Sequence, residues 1–233
     1  MLNTFPMLHF LKKYLFKYRL VRWLLILLLA PYALALAYIF IAPPSTLMLA
    51  DLATFSLPKH TWVKLDKISP NLVSAVLAAE DSAFCDHWGF DFKAIEKSLD
   101  KAADGKRFGG ASTITQQTAK NLFLWHDRSW LRKSLEAPLT LWLELTMSKR
   151  RILEIYLNIA QWGDGVYGAE AASQYHFGTA AKNLSLTQAA LLAASLPNPI
   201  KRSAGKPGAG VLMGASVIAR RALRQSPDLS CVK

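Results

Sequence analysis

From Trp23 to Ala42 the chain reads WLLILLLAPYALALAYIFIA, twenty residues without a charge. At helical rise such a run is about 30 Å long, the thickness of a bilayer's hydrocarbon core. A chain that opens this way does not fold as one water-soluble globule: the segment either stays in lipid or is removed. Lys12, Lys13, Lys17, Arg19 and Arg22 precede it with no acidic residue among them, and no cation follows at once. That asymmetry places the N-terminus in the cytoplasm and the bulk of the chain on the far side. A cleaved signal peptide is the alternative, and Ala33–Ala37 supplies the small residues it needs. Its apolar core is about 7–15 residues, however, so the length favours a retained anchor. Pro31 inside the run is tolerable in a membrane helix and kinks it.

The organisation expected is a basic tail over 1–22, a membrane span over 23–42, a linker over 43–59 and a globular domain over 60–225. Of the formal +12 charge, the five tail cations leave +7 on the remainder. That excess suits an anionic partner. An exported domain rarely meets nucleic acid, so a membrane surface or an acidic substrate is the better fit. Cys85 and Cys231 would lie in an oxidising compartment. Two cysteines do not make a framework, and Cys231 sits where chains fray. No structural disulfide is expected, although the compartment would permit one.

Beyond residue 60 the periodicity is helical. Ser69 and Pro70 suit the N-cap and first helical position of a helix whose stripe is Leu72, Val73, Val76 and Leu77. Further helices are predicted over 91–103, 112–124, 130–148, 149–162 and 185–196. No run alternates with period two for long, so the domain is predicted to be α-rich.

Three polar constellations interrupt the apolar pattern. Val73, Val76 and Glu80 fall at i, i+3 and i+7, so Glu80 prolongs the buried stripe at the last helical turn. A carboxylate there loses water and gains basicity, as a general base near neutral pH requires. The plainer alternative is an ion pair with a buried Arg, or a cap on a neighbouring element. His87 lacks a second ligand at metal-site spacing and is read, with Phe84, Trp88 and Gly89, as shaping the next turn. In the second constellation Thr113 and Gln116 fit a capping box, while Thr113, Gln117 and Lys120 share a helix face. With Lys106 and Arg107 beside it, that helix N-terminus suits a phosphate, although the Walker spacing is absent. In the third, Arg132 and Lys133 pair with Glu136 at i, i+4 and i, i+3. They form either a surface salt bridge or a cationic clamp for a diphosphate, with Glu136 orienting it or binding a hydrated cation.

These stretches occur in an order with a meaning of its own. AAEDSAFCDHWGFD, GASTITQQTAKNLFL, RSWLRKSLEA, KRRILEIYLN and GDGVYGAEAASQYHFG with LSLTQAALLAASLPNP resemble, in sequence, the five motifs of the peptidoglycan glycosyltransferases, glycosyltransferase family 51. In length and single N-terminal anchor the chain resembles the monofunctional members. The likeness spans about residues 60–200. It implies a lysozyme-like α-helical glycosyltransferase domain at the outer face of the bacterial inner membrane. It further implies polymerisation of lipid II into β-1,4 glycan strands with release of undecaprenyl diphosphate. By that likeness Glu80 is the catalytic base and Glu136 the second important carboxylate. Ser112, Thr113, Gln117, Lys120, Arg132 and Lys133 are the substrate-binding positions that contact the diphosphate, and Asn158 is structural. Lipid II, the growing strand and the bilayer are the implied partners, with cell-division or elongation proteins as candidates and no nucleic acid. No cofactor is required and no metal site is spelled out; any Mg²⁺ would arrive with the substrate diphosphate. Thr179, Gln188 and residues 201–225 depart from the pattern. The main rival is a lytic transglycosylase or muramidase, also lysozyme-like, which binds an uncharged glycan and needs no cationic clamp. A second is an anchored protein that only binds anionic lipid or nucleic acid. SLPK and SLDK match S-x-x-K, but no K-T-G follows, so penicillin is expected to leave the activity untouched.

Overall fold

A computed structural model of the chain describes residues 5–105, 110–127, 129–224 and 228–232, with backbone only for residues 5–16. Among the described residues the structure is mainly α, with ten α-helices and one small sheet. Helix α1 runs from Phe5 to Ala37 with Pro31 inside it, and its stretch Lys17–Ala37 is long and apolar enough to cross a membrane. From Lys17 onward its side chains stay mostly exposed until the last turns, where it meets the rest of the molecule. There the Trp142 indole N–H donates to the Tyr32 carbonyl at 3.0 Å and the two rings meet edge to face. The Arg151 guanidinium then donates to the carbonyls of Tyr38 and Ile41, lies over the Trp62 ring and pairs with Glu154. The chain therefore leaves α1 at a fixed place on the rest of the molecule.

The segment read as a linker is not bare. It holds α2, Thr46–Ala53, capped by Ser45 and tied by the Thr46 hydroxyl to the Leu124 carbonyl at 2.8 Å. Helix α3, Pro70–Glu80, starts as predicted, with Ser69 as N-cap and Pro70 in the first turn. Its face of Leu72, Ala75, Val76 and Leu77 is sealed from solvent by α9, Leu186–Ser195, and α10, Ala209–Arg224. Each such Leu or Val stabilises the fold by about 1.5–3 kcal/mol. The alanines of α9 let these helices approach closely. Helix α4, Phe92–Ala103, is capped by Asp91 and buries only Ser98, so it stands at the edge of the domain.

Helices α5, Ile114–Phe123, α6, Trp130–Thr146, and α7, Lys149–Ile159, pack together as the second half of the core. One predicted boundary needs correction here. The fifth predicted helix, 149–162, stops at Ile159, because residues 161–163 pair as a strand. β2, Gln161–Gly163, runs antiparallel to β3, Val166–Tyr167, which in turn runs parallel to β1, Lys59–His60. The chain then enters α8, Ala169–Phe177, through Gly168. Gly168 has φ +83° and a Cβ there would lie 2.6 Å from the Asn158 carbonyl oxygen, so only glycine fits. Asn158 is fully buried, and its amide exchanges hydrogen bonds with the Val63 backbone, 2.9 and 2.8 Å, which fastens α7 to the incoming chain.

The cysteine expectation is overturned. Cys85 and Cys231 form a disulfide that closes a span of 146 residues. The segment Ser230–Val232 docks on α7. Val232 is buried, and its carbonyl accepts from Arg150 at 2.6 Å. That docking carries Cys231 back to the turn after α3.

Candidate active site

Glu80 is the last residue of α3, and two openings meet at it. One cleft of about 270 Å³ is lined by Glu80, Ser82, Lys97, Lys101, Ser112 and Arg221. The other, about 410 Å³ and more apolar, lies between α3, α9 and α10, and Arg221 reaches both. The Glu80 carboxylate is partly buried. Desolvation pushes its pKa above the ordinary carboxylate value and the neighbouring Asp81 charge adds to this, while a hydrogen bond from Gln117 and the Lys120 charge oppose it. No Arg pairs with it among the described residues. Its one hydrogen bond there comes from the Gln117 side-chain N–H to Oε2 at 2.8 Å.

Asp81, the next residue, turns away into the core. It accepts from the His87 ring nitrogen and from the Ile114 backbone N–H, each at 2.9 Å. The second carboxylate of the Glu-Asp pair thus ties the turn after α3 to the start of α5. His87 is a structural partner of that turn, as its isolation in the sequence suggested. Thr113 is the N-cap of α5 with Gln116 closing the capping box, as predicted. Its buried hydroxyl donates to the Gly89 carbonyl at 2.6 Å and accepts from the Gln116 N–H. Ser112, one residue earlier, is exposed in the first cleft. Lys106 and Arg107, proposed from sequence to flank this site, lie outside the described residues.

Glu136 on α6 is buried, only 3 % exposed, and its two carboxylate oxygens receive Arg132 and Lys133, one each. Lys120 stands near both carboxylates. Its pKa is lowered by desolvation first, with Glu136 opposing and Arg132 and Lys133 adding to the fall. Three cations therefore gather round one buried carboxylate, and Lys120 forms no ion pair among the described residues. His126 borders the cluster and accepts no further charge. Burial, then Lys120 and Arg132, hold its pKa down to about 4, so it is neutral at neutral pH. Each Glu136 oxygen faces one cation, an arrangement that fits an orienting role. Among the described residues no three His, Cys, Asp or Glu side chains gather as a metal site.

The predicted residues thus fall into two groups. Glu80, Ser112, Thr113 and Gln117 surround the end of α3. Lys120, Arg132, Lys133 and Glu136 form the cationic cluster next to it. Arg221 and Tyr156 were missed. Arg221 lies in the C-terminal stretch that departs from the motifs. Tyr156 lies within a quoted motif, yet its contact with Gln117 joins two helices far apart in sequence.

Comparison with known proteins shows the family. The family described as Transglycosylase matches residues 48–221, further toward both ends than the motifs reach. A biosynthetic peptidoglycan transglycosylase of Rhizobium meliloti (strain 1021) is 50 % identical over 216 residues, covering 92 % of each chain. Its counterpart in Agrobacterium fabrum is 51 % identical, covering 92 % of this chain and 96 % of its own. The one in Brucella suis biovar 1 is 48 % identical over 91 % of this chain and 96 % of its own. A match across most of the chain, from α2 to the Arg221 that borders the clefts, places this protein in the transglycosylase family.

Proposed function

We propose that the chain is a peptidoglycan glycosyltransferase that polymerises lipid II into β-1,4 glycan strands for cell-wall synthesis. One observation carries the reading: a partly desolvated carboxylate at the meeting of two clefts stands near Lys120 and near two further cations, Arg132 and Lys133, paired with a second, buried carboxylate. A diphosphate leaves as a stable anion, so its departure needs positive charge rather than a proton. One base and several cations suit that reaction better than the acid and base carboxylate pair of glycoside hydrolysis. Glu80 takes the proton from the 4-hydroxyl of the acceptor sugar. The hydroxyl oxygen attacks the anomeric carbon of the growing strand from the side opposite the leaving group, and the lipid diphosphate departs with inversion. Lys120, Arg132 and Lys133 receive its charge, Glu136 fixes the last two in place, and Ser112 and Thr113 line a cleft at the base.

The domain plan follows from the same reading. A basic tail over 1–22 lies in the cytoplasm, residues 23–42 anchor the chain in the inner membrane, 43–59 connect, and 60–225 work outside. Both substrates carry polyprenyl tails in that bilayer, so the fixed exit of α1 holds the clefts at the substrate's own surface.

The test is turnover of purified lipid II by the full chain in detergent. Wild type is expected to make glycan polymer, and Glu80→Gln to make none while keeping its circular dichroism. Near-normal polymer from Glu80→Gln would reject the assignment of the base. Incubation with isolated cell-wall sacculi addresses the lytic alternative, which soluble fragments would favour.

A further inference from the structure

The Tyr156 hydroxyl, at the end of a fully buried side chain on α7, donates to Gln117 Oε1 at 3.1 Å. The Gln117 Nε2 in turn donates to Glu80 Oε2 at 2.8 Å. Three helices, α7, α5 and α3, are thereby joined by a two-link chain that ends on the carboxylate. We propose that Tyr156 is a positioning residue for the base: by holding the Gln117 amide it binds one oxygen of ionised Glu80 and leaves the other for the acceptor hydroxyl. The inference rests on the reading of Glu80 as that base.

The direction of each bond is fixed by chemistry. An amide has one donor end and one acceptor end. Turning Gln117 over would set its carbonyl oxygen against the Glu80 carboxylate, two acceptors facing each other. A phenol that keeps its proton holds the amide the right way round. Tyr156 does keep it: burial, with the charges of Glu80 and Asp81, puts its ionisation far above neutrality. Tyr156 is anchored in the core, 1 % exposed, so its hydroxyl has little freedom to leave. Glu80 Oε1 has no hydrogen-bond partner among the described residues. The other groups facing Glu80 are Asp81 beside it, Lys120 on α5, and Lys97, Lys101, Arg202 and Arg221 along the two clefts. None of them selects which oxygen is occupied. The family resemblance implies that Gln117 serves the substrate diphosphate; here one hydrogen of its amide nitrogen goes to the base.

The experiment measures lipid II turnover against pH for the full chain in detergent, comparing wild type, Tyr156→Phe, Gln117→Ala and the double variant. Tyr156→Phe keeps the ring in the core and removes one hydrogen bond. It is expected to lower kcat about three- to tenfold, the net worth of one such bond, with KM little changed. Without the amide's donor Glu80 becomes harder to ionise, so the acidic limb of kcat moves up by a few tenths to about one pH unit. Gln117→Ala is expected to move the limb the same way, and the double variant no further than Gln117→Ala alone, because both act through one bond. An unmoved limb in Gln117→Ala, with the loss confined to KM, would overturn the proposal and return Gln117 to the substrate. So would a Tyr156→Phe profile superposing on wild type. Gln117→Ala, at a partly exposed position, carries the test should Tyr156→Phe fail to fold. Absence of turnover in wild type, or full activity of Glu80→Gln, would instead defeat the underlying reading and this inference with it.

Discussion

Glu80 and Glu136 are both carboxylates in dry surroundings, and their partners give them opposite characters. Glu136 has a cation on each oxygen; Glu80 has one amide and a neighbouring negative charge. Raising Glu80 above its reference value of 4.5 has a stability consequence with a definite sign. In the window between 4.5 and the raised folded value, the folded protein holds a proton that the unfolded chain has lost. This group's contribution is therefore fully present at low pH and is lost as pH rises through the folded value. At neutral pH the ionised side chain is a cost, which Glu80→Gln removes. That variant is expected to melt at the same or a higher temperature than wild type at neutral pH, with the gap closing at low pH. Thermal scans in detergent at several pH values would show it, and a large loss of stability would contradict a partly desolvated carboxylate with no ion pair among the described residues. Glu136→Gln tests the other carboxylate. It frees two cations that the carboxylate now fixes, and misplacement of such groups costs up to about 100-fold in rate. Lipid II turnover is expected to fall by that order, with glycan still detectable.

At the scale of elements, the caps Ser69 and Thr113 are read from the sequence, whereas Ser129, Ser148 and Ser185 and the turns are not. Ser69, Thr113, Ser129, Ser148 and Ser185 each cap a helix, because a hydroxyl just before an apolar periodic run has a free backbone N–H within local reach. Helix α10 went unassigned although Val211, Ala215, Ile218 and Ala222 keep helical spacing, since Gly210 and Gly214 dilute the signal. The entry to α8 depends on a conformation and a close approach that composition alone does not reveal. Gly168→Ala adds a methyl 2.6 Å from the Asn158 carbonyl at φ +83°. The strain of positive φ, about 1–2 kcal/mol, adds to an overpacking cost of about 1–3 kcal/mol. Gly165→Ala, at φ +63° with nothing within 4 Å, carries only the first. Denaturant melts are expected to rank the two in that order, and equal losses would show that the contact at Asn158 relaxes.

Across the whole molecule, the disulfide joins the turn beside the base to the C-terminal segment on α7. Closing a span of 146 residues removes much freedom from the unfolded chain. Reduction, or Cys85→Ser, is expected to lower the unfolding free energy by about 2–5 kcal/mol. Denaturant melts with and without reductant would measure it, and coincident curves would show that docking of Val232 suffices. What the sequence by itself determined is whatever depends on neighbours along the chain: the apolar span, the helix caps, the burial of Glu80 at i+7 from Val73, and the ordered motifs. Only the tertiary structure decided which distant groups meet, because those contacts form between helices whose separation in sequence carries no period. Tyr156 against Gln117, Asp81 against the start of α5, Cys231 against Cys85 and Arg221 at the edge of both clefts are of that kind, and each is set by how closely packed helices bring their faces together.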